Sequence, residues 1–239
     1  MWILISTYSI DQDITLHHRS IRMSSLQLRY ACENELPAIV QLMITAFRGR
    51  AMNDALFPEH LRVNAGDADE LNFRTRSISR GFGNKNRHHI VVVDEEDKVI
   101  GYAEWTDGDD PLVDTTPEER DKKRAEEIKR VPKSFNLEAA ERIRRELGLL
   151  LDKLKETLGQ EGYENSWIDQ VHQRKGIGKM LTQWGVERAK KENKNIHFLS
   201  SPAGAKLYRA MGFEEVGSGE ILGGKEYAFV RRTTQNEDQ

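Results

Sequence analysis

Cysteine is nearly missing from this chain. Cys32 is the only one in 239 residues, so no intramolecular disulfide can form and a reducing compartment is expected. Long apolar runs are missing too: none approaches the roughly 20 residues that span a bilayer. The opening "MWILISTYSI" has no basic flank and no small-residue cleavage site, so neither a membrane partner nor a secretory signal is expected. Positive charge is not in excess. With 36 Lys and Arg against 39 Asp and Glu the net charge is −3, unlike a general nucleic-acid binder. His88 and His89 lack a Cys or His partner at metal-site spacing, so they read as polar residues at a strand start and no metal is expected. What remains is a highly charged globular chain, 38% hydrophobic, of one large domain or two small ones. A cytoplasmic location is expected, with the nucleus left open.

Residues 1–25 show no sustained period and read as a loose extension, with Met23 an alternative start. "LQLRYA" then alternates like a strand. "ENELPAIVQLMITAF" carries apolar residues at Leu36, Ile39, Val40, Met43 and Phe47, an amphipathic helix. Residues 48–87 predict one or two helices and a loop. "HHIVVVDEEDKVIGYAEWT" holds two β-rich runs joined by an acidic turn, the clearest hairpin in the chain. Residues 107–162 read as a helical insertion. It has a charged helix, then a longer one with an apolar stripe through Leu137, Ile143, Leu147, Leu150, Leu151, Leu154 and Leu158. "NIHFL" is a short buried strand. In "SSPAGAKLYRAMGF", Ser201 suits an N-cap, Pro202 the first helical position and Gly212 the left-handed residue past the end. "EEVG" and "KEYAFVRR" predict a closing hairpin across "SGEILGG", before a polar tail at 233–239. The fold class is therefore α+β: a mixed, largely antiparallel central sheet flanked by helices, in a single domain over 26–232.

The most informative stretch is "QRKGIGKML", residues 173–181. Two glycines at the opening of a helix cost stability relative to alanine. A ligand that must approach the backbone offsets that cost, and the unpaired N–H groups of a helix start suit a phosphate. Arg174, Lys175 and Lys179 oppose the helix dipole there and so favour an anion nearby. The P-loop pattern is absent, and so are the three spaced glycines of a dinucleotide fingerprint.

These residues carry a resemblance. "QRKGIGKMLTQWGVERAK" resembles the acyl-CoA-binding motif Q/R-x-x-G-x-G/A of the GCN5-related N-acetyltransferases (GNAT), and "SSPAGAKLYRAMGFEEVG" resembles the strand, helix and turn that follow it, most closely in fungal-type members. The resemblance implies an acyl-CoA N-acyltransferase-like fold and acetyl-CoA as co-substrate. It implies binding through Ile168, Val171, Gln173, Arg174, Lys175, Gly176, Ile177, Gly178, Lys179 and Ser201, the loop N–H groups holding the pyrophosphate. It also implies that Tyr208 protonates the departing CoA thiolate, the alternative for that side chain being core packing.

The chain departs from the family just upstream. "YENSWIDQVHQ" has Ile168 at the family's Val position, but Ser166 stands for Leu and Gln170 for Pro. In the family that strand lines the acetyl group and often holds the general base. Here Glu164 and Glu104 are the base candidates, beside exposed-carboxylate readings for both. Two functions stay open. One is an acetyltransferase acting on a primary amine of a small molecule or peptide. The other is a degenerate fold that binds CoA or a protein partner without turnover. A purely helical interaction protein built on 117–158 leaves the glycine loop unexplained.

Overall fold

The structure, a computed structural model, describes residues 26–106, 116–158, 166–169 and 176–233. The expected extension at 1–25 and the tail beyond Thr233 lie outside the described residues. Among the described residues seven strands form two sheets. The first has the order β1 (Gln27–Tyr30), β2 (Arg87–Val93), β3 (Val99–Thr106), β4 (Ser166–Asp169), with every neighbouring pair antiparallel. The second has β7 (Gly224–Arg231) between β5 (Ile196–Ser200) and β6 (Glu214–Ile221), also antiparallel. The α+β expectation holds.

The β2–β3 hairpin forms as its pattern requires. Its β-branched runs are covered on both faces, so all eight residues of β3 are buried. The Asp94 carboxylate accepts hydrogen bonds from the Glu96 and Lys98 N–H groups, and Asp97 takes a left-handed φ of 58° to close the turn.

Side-chain alternation divides the helices between two faces. On one, α6 (Ile177–Glu192) and α7 (Pro202–Ala210) cover Ala103, Trp105, Phe198 and Phe229. On the other, α1 (Leu36–Phe47) and α3 (Ala68–Ser79) cover Val91, Val93 and Tyr102. The α1 stripe ends on Ile44, buried, rather than on Met43 and Phe47, which are half-buried. The short α2 (Ala51–Leu56) joins α5 (Leu137–Leu158) around Phe135 and Ile221.

The region between β3 and β4 contains α4 (Pro117–Ile128) and α5. A reciprocal cap opens α4: Glu119 N–H donates to Thr116 Oγ1, and Thr116 N–H donates to Glu119. The α5 stripe packs on its own domain through Ile143 and Leu150, which meets Ala228 and Val230, while Leu137 is exposed.

The last hairpin differs from expectation. The predicted loop "SGEILGG" is mostly strand, and the turn is only Leu222–Gly223, both left-handed at φ 50° and 78°. The Gly and Ser residues that suggest a loop sit within β6, where Gly219 faces Leu150 of α5. Leu222 N–H donates to Glu146 Oε2 at 2.6 Å and ties the turn to α5.

Helix α6 lies against β3 with no space to spare. A Cβ on Gly101 would come 2.4 Å from Ile177 Cγ2, and one on Gly185 would come 2.1 Å from the Trp105 indole. Gly185→Ala gains about 1 kcal/mol of helix propensity but overpacks against a buried ring, at a cost of about 1–3 kcal/mol. The variant is expected to unfold at lower urea concentration with an unchanged m-value. A raised midpoint would show that the α6–β3 contact is loose.

Candidate active site

Strands β4 and β5 lie side by side yet belong to different sheets. Each has one paired edge, β4 with β3 (Ile168 opposite Ala103) and β5 with β7 (Phe198 opposite Phe229). Their facing edges carry backbone donors and acceptors that the described ladders leave unpaired. Inside a protein such groups need a partner. The gap therefore suits a narrow, polar-edged ligand that spans both strands.

Helix α6 starts beside this gap, and Gly176 stands one place earlier in it than expected. Gly176 is the N-cap, not a first-turn residue. Its φ of 75° is left-handed, and a Cβ would meet nothing within 4 Å, so glycine is favoured here by conformation rather than by crowding. No side chain caps the helix, and the first bond into it is Met180 N–H to Gly176 O at 3.0 Å. The N–H groups of Ile177, Gly178 and Lys179 thus point out of a 16-residue helix with no partner inside it. Ile177 and Gly178 are buried and Lys179 is exposed. Ile168 lies in β4. Val171, Gln173, Arg174 and Lys175 lie outside the described residues, as does Glu164.

Ser201 occupies the N-cap of α7 as expected, but its side chain makes no cap bond. Pro202 follows at the first position, and Gly212 takes φ 78° after the helix. Tyr208 is 4% exposed, its ring packed on Phe198 at 4.2 Å, with Phe213 and Phe229 near 6 Å. A Cβ on Gly204 would fall 3.0 Å from the Tyr208 ring and 2.7 Å from Ser200 Oγ, so the glycine lets Tyr208 reach the end of β5.

The fold has counterparts. The family model for the acetyltransferase (GNAT) domain matches residues 137–215, from α5 into β6. A Corynebacterium glutamicum structure of histone acetyltransferase HPA2 and related acetyltransferase superposes with a TM-score of 0.55 at 17% identity, over 89% of this chain and 99% of that one. A Desulfovibrio desulfuricans structure, named as an acetyltransferase of the GNAT family, gives 0.50 at 12% identity, over 88% and 100%. The fold is that of the GNAT acetyltransferases. No curated protein matches the sequence, and these bacterial structures lend the fungal-type likeness no support.

Within this GNAT fold the expected base candidate Glu104 is buried, not exposed. Its carboxylate faces Arg87 at 3.4 Å and accepts the Tyr102 hydroxyl at 3.3 Å, while Tyr102 Oη lies 2.7 Å from His89 Nδ1. His88 and His89 stand at the start of β2, as read, and both are buried there. Burial pushes their pKa values down to about 3 and about 4, and that of His197 in β5 to about 3, so all three are neutral at pH 7. No group of three or more metal-ligating side chains occurs among the described residues.

One further group escapes sequence reading: Glu226, in the middle of "KEYAF". It is 8% exposed, and among the described residues its carboxylate accepts no hydrogen bond. Burial raises its pKa to about 7, against the opposing pull of Arg50. At about 1.4 kcal/mol per pH unit, that displacement corresponds to about 3 kcal/mol. Period-2 alternation with Ala228 and Val230 was the available signal, since it assigns Glu226 to a covered face.

Valine at Gly176 looks harmless from helix propensity alone, but the left-handed φ overturns that expectation. Gly176→Val should lose about 1–2 kcal/mol of stability, and Gly176→Asn less, because asparagine tolerates this conformation. Urea unfolding of the two variants checks it, and equal stabilities would contradict the left-handed cap.

Proposed function

We propose that this chain is an acetyl-CoA-dependent N-acetyltransferase that acetylates a primary amine of a small molecule or peptide by direct attack. One observation carries the reading: a glycine-opened helix with no side-chain cap begins beside a gap between two unpaired strand edges. The three free N–H groups at the start of α6 fit a pyrophosphate, and the gap fits an extended, amide-containing arm.

Acetyl-CoA would supply an activated acetyl thioester. In this reading the α6 N-terminus, with Gly176 and Lys179, holds the diphosphate. The β4 edge around Ile168 aligns the thioester carbonyl and stabilises the negative charge that grows on its oxygen as the amine attacks. A C–N bond forms and the C–S bond breaks. The amine loses a proton to a base, and Tyr208, at the end of β5, gives one to the thiolate. A phenol of pKa about 10 suits a thiolate of comparable basicity.

A second reading, a CoA-binding module without turnover, draws support from the deep packing of Tyr208 among Phe198, Phe213 and Phe229. Calorimetry with acetyl-CoA followed by a thiol-release assay separates the two. Tyr208→Phe is expected to keep acetyl-CoA affinity and thermal stability while kcat falls by about 10²–10⁴-fold. Parallel losses of stability and activity would make Tyr208 a packing residue.

A further inference from the structure

Thr182 is the one polar side chain on the buried face of α6, among Ile177, Gly178, Leu181, Gly185, Val186 and Ala189. It is 0% exposed, and its Oγ1 donates to Gly178 O at 2.7 Å, one helical turn back. The helix ladder already supplies that carbonyl with a donor, the Thr182 N–H. A threonine inside a helix commonly back-bonds in this way, at a small cost in helix stability. Thr45 of α1 does so to Gln41 O at 2.9 Å, on an exposed face. Valine has nearly the same shape and would bury no hydroxyl.

What separates the two threonines is the peptide unit each one touches. The carbonyl of Gly178 and the N–H of Lys179 belong to one planar amide, coupled by resonance. Electron density drawn toward the oxygen leaves the N–H a stronger donor. In α1 the corresponding N–H, that of Leu42, lies well inside the helix and is spent on its ladder. In α6 the Lys179 N–H is the third of the opening three that have no partner within the helix. The second bond on Gly178 O therefore acts on a donor that faces outward, toward the end of the β4–β5 gap. Both Gly178 and Thr182 are buried, away from water, where such coupling is strongest.

We propose that Thr182 is a positioning residue for the acyl donor: from inside α6 its hydroxyl holds and polarises the Gly178–Lys179 peptide, so that the Lys179 N–H donates more strongly to the diphosphate. The assignment rests on the acetyltransferase reading above and adds a residue that never touches the ligand. The Lys179 side chain, exposed at the same point, contributes its charge independently of Thr182.

The test uses the full chain with acetyl-CoA as the probe and compares wild type with two variants. Thr182→Val keeps the shape and loses the hydroxyl; Thr182→Ser keeps the hydroxyl and loses the methyl group. Calorimetry gives the affinity, thermal melting the stability, and proton–nitrogen NMR the amide shift of Lys179. Thr182→Val should melt no lower than wild type and bind acetyl-CoA about two- to fourfold more weakly, as polarisation of a bond to a charged group by about 10–30% implies. Thr182→Ser should melt lower yet bind within about 1.5-fold of wild type, since the polarising bond is kept. The Lys179 amide proton should move downfield when acetyl-CoA binds wild type, and move less in Thr182→Val. A loss of less than about twofold in Thr182→Val would overturn the assignment. So would an equal Lys179 shift in wild type and Thr182→Val. If affinity falls in step with melting temperature across the two variants, Thr182 is a packing residue and the assignment is wrong. Failure of wild type to bind acetyl-CoA would instead bring down the acetyltransferase reading itself, and the Thr182 assignment with it.

Discussion

The rest of the site depends on two strands that lie together without pairing. β4 closes the first sheet and β5 opens the second, and the chain between them passes through α6. Had the two edges joined in one ladder, their backbone groups would be satisfied and no ligand would be needed. Left apart, they make a slot with polar walls, and the start of α6 brings N–H groups without a helical partner to its end.

Holding that slot open requires both sheets to share one core. Ala103 and Trp105 of the first sheet and Phe198 and Phe229 of the second meet the same pair of helices, α6 and α7. The close seating relies on glycine where a methyl group would collide: Gly101 under Ile177, Gly185 under Trp105, and Gly204 beside Tyr208. The opposite face is covered by α1, α3 and α5. Its polar groups are either spent on each other, as in the Arg87–Glu104–Tyr102–His89 chain, or left over, as with Glu226. Buried polar groups that satisfy one another specify a core.

Much of this was legible in the residues. The β2–β3 hairpin, α1, α6 and α7 all follow from period and punctuation, because each depends on local rules. What was not legible depends on contacts distant in sequence. The spacing of Gly176 suggests room for a ligand, whereas its left-handed cap depends on a backbone conformation that spacing does not show. The "SGEILGG" stretch read as a loop because glycine and serine normally break strands, whereas α5 packs over β6 there and needs residues without bulk. For Glu104 the sequence leaves a base and an exposed carboxylate both open, because its contacts with Arg87 and Tyr102 come from the β2–β3 register and the covering helices. Glu226 differs, since its alternation with Ala228 and Val230 marks a covered face in the sequence itself.

The most direct test is amide hydrogen exchange with and without acetyl-CoA. Strand β4 is only four residues long and paired on one edge, so its amides should exchange faster than those of β5 in the free protein. Addition of acetyl-CoA should slow exchange across Ser166–Asp169 and the first turn of α6, and leave β1 and β6 unchanged. Binding of acetyl-CoA with no protection at Ser166–Asp169 or Ile177–Met180 would contradict the slot as its site.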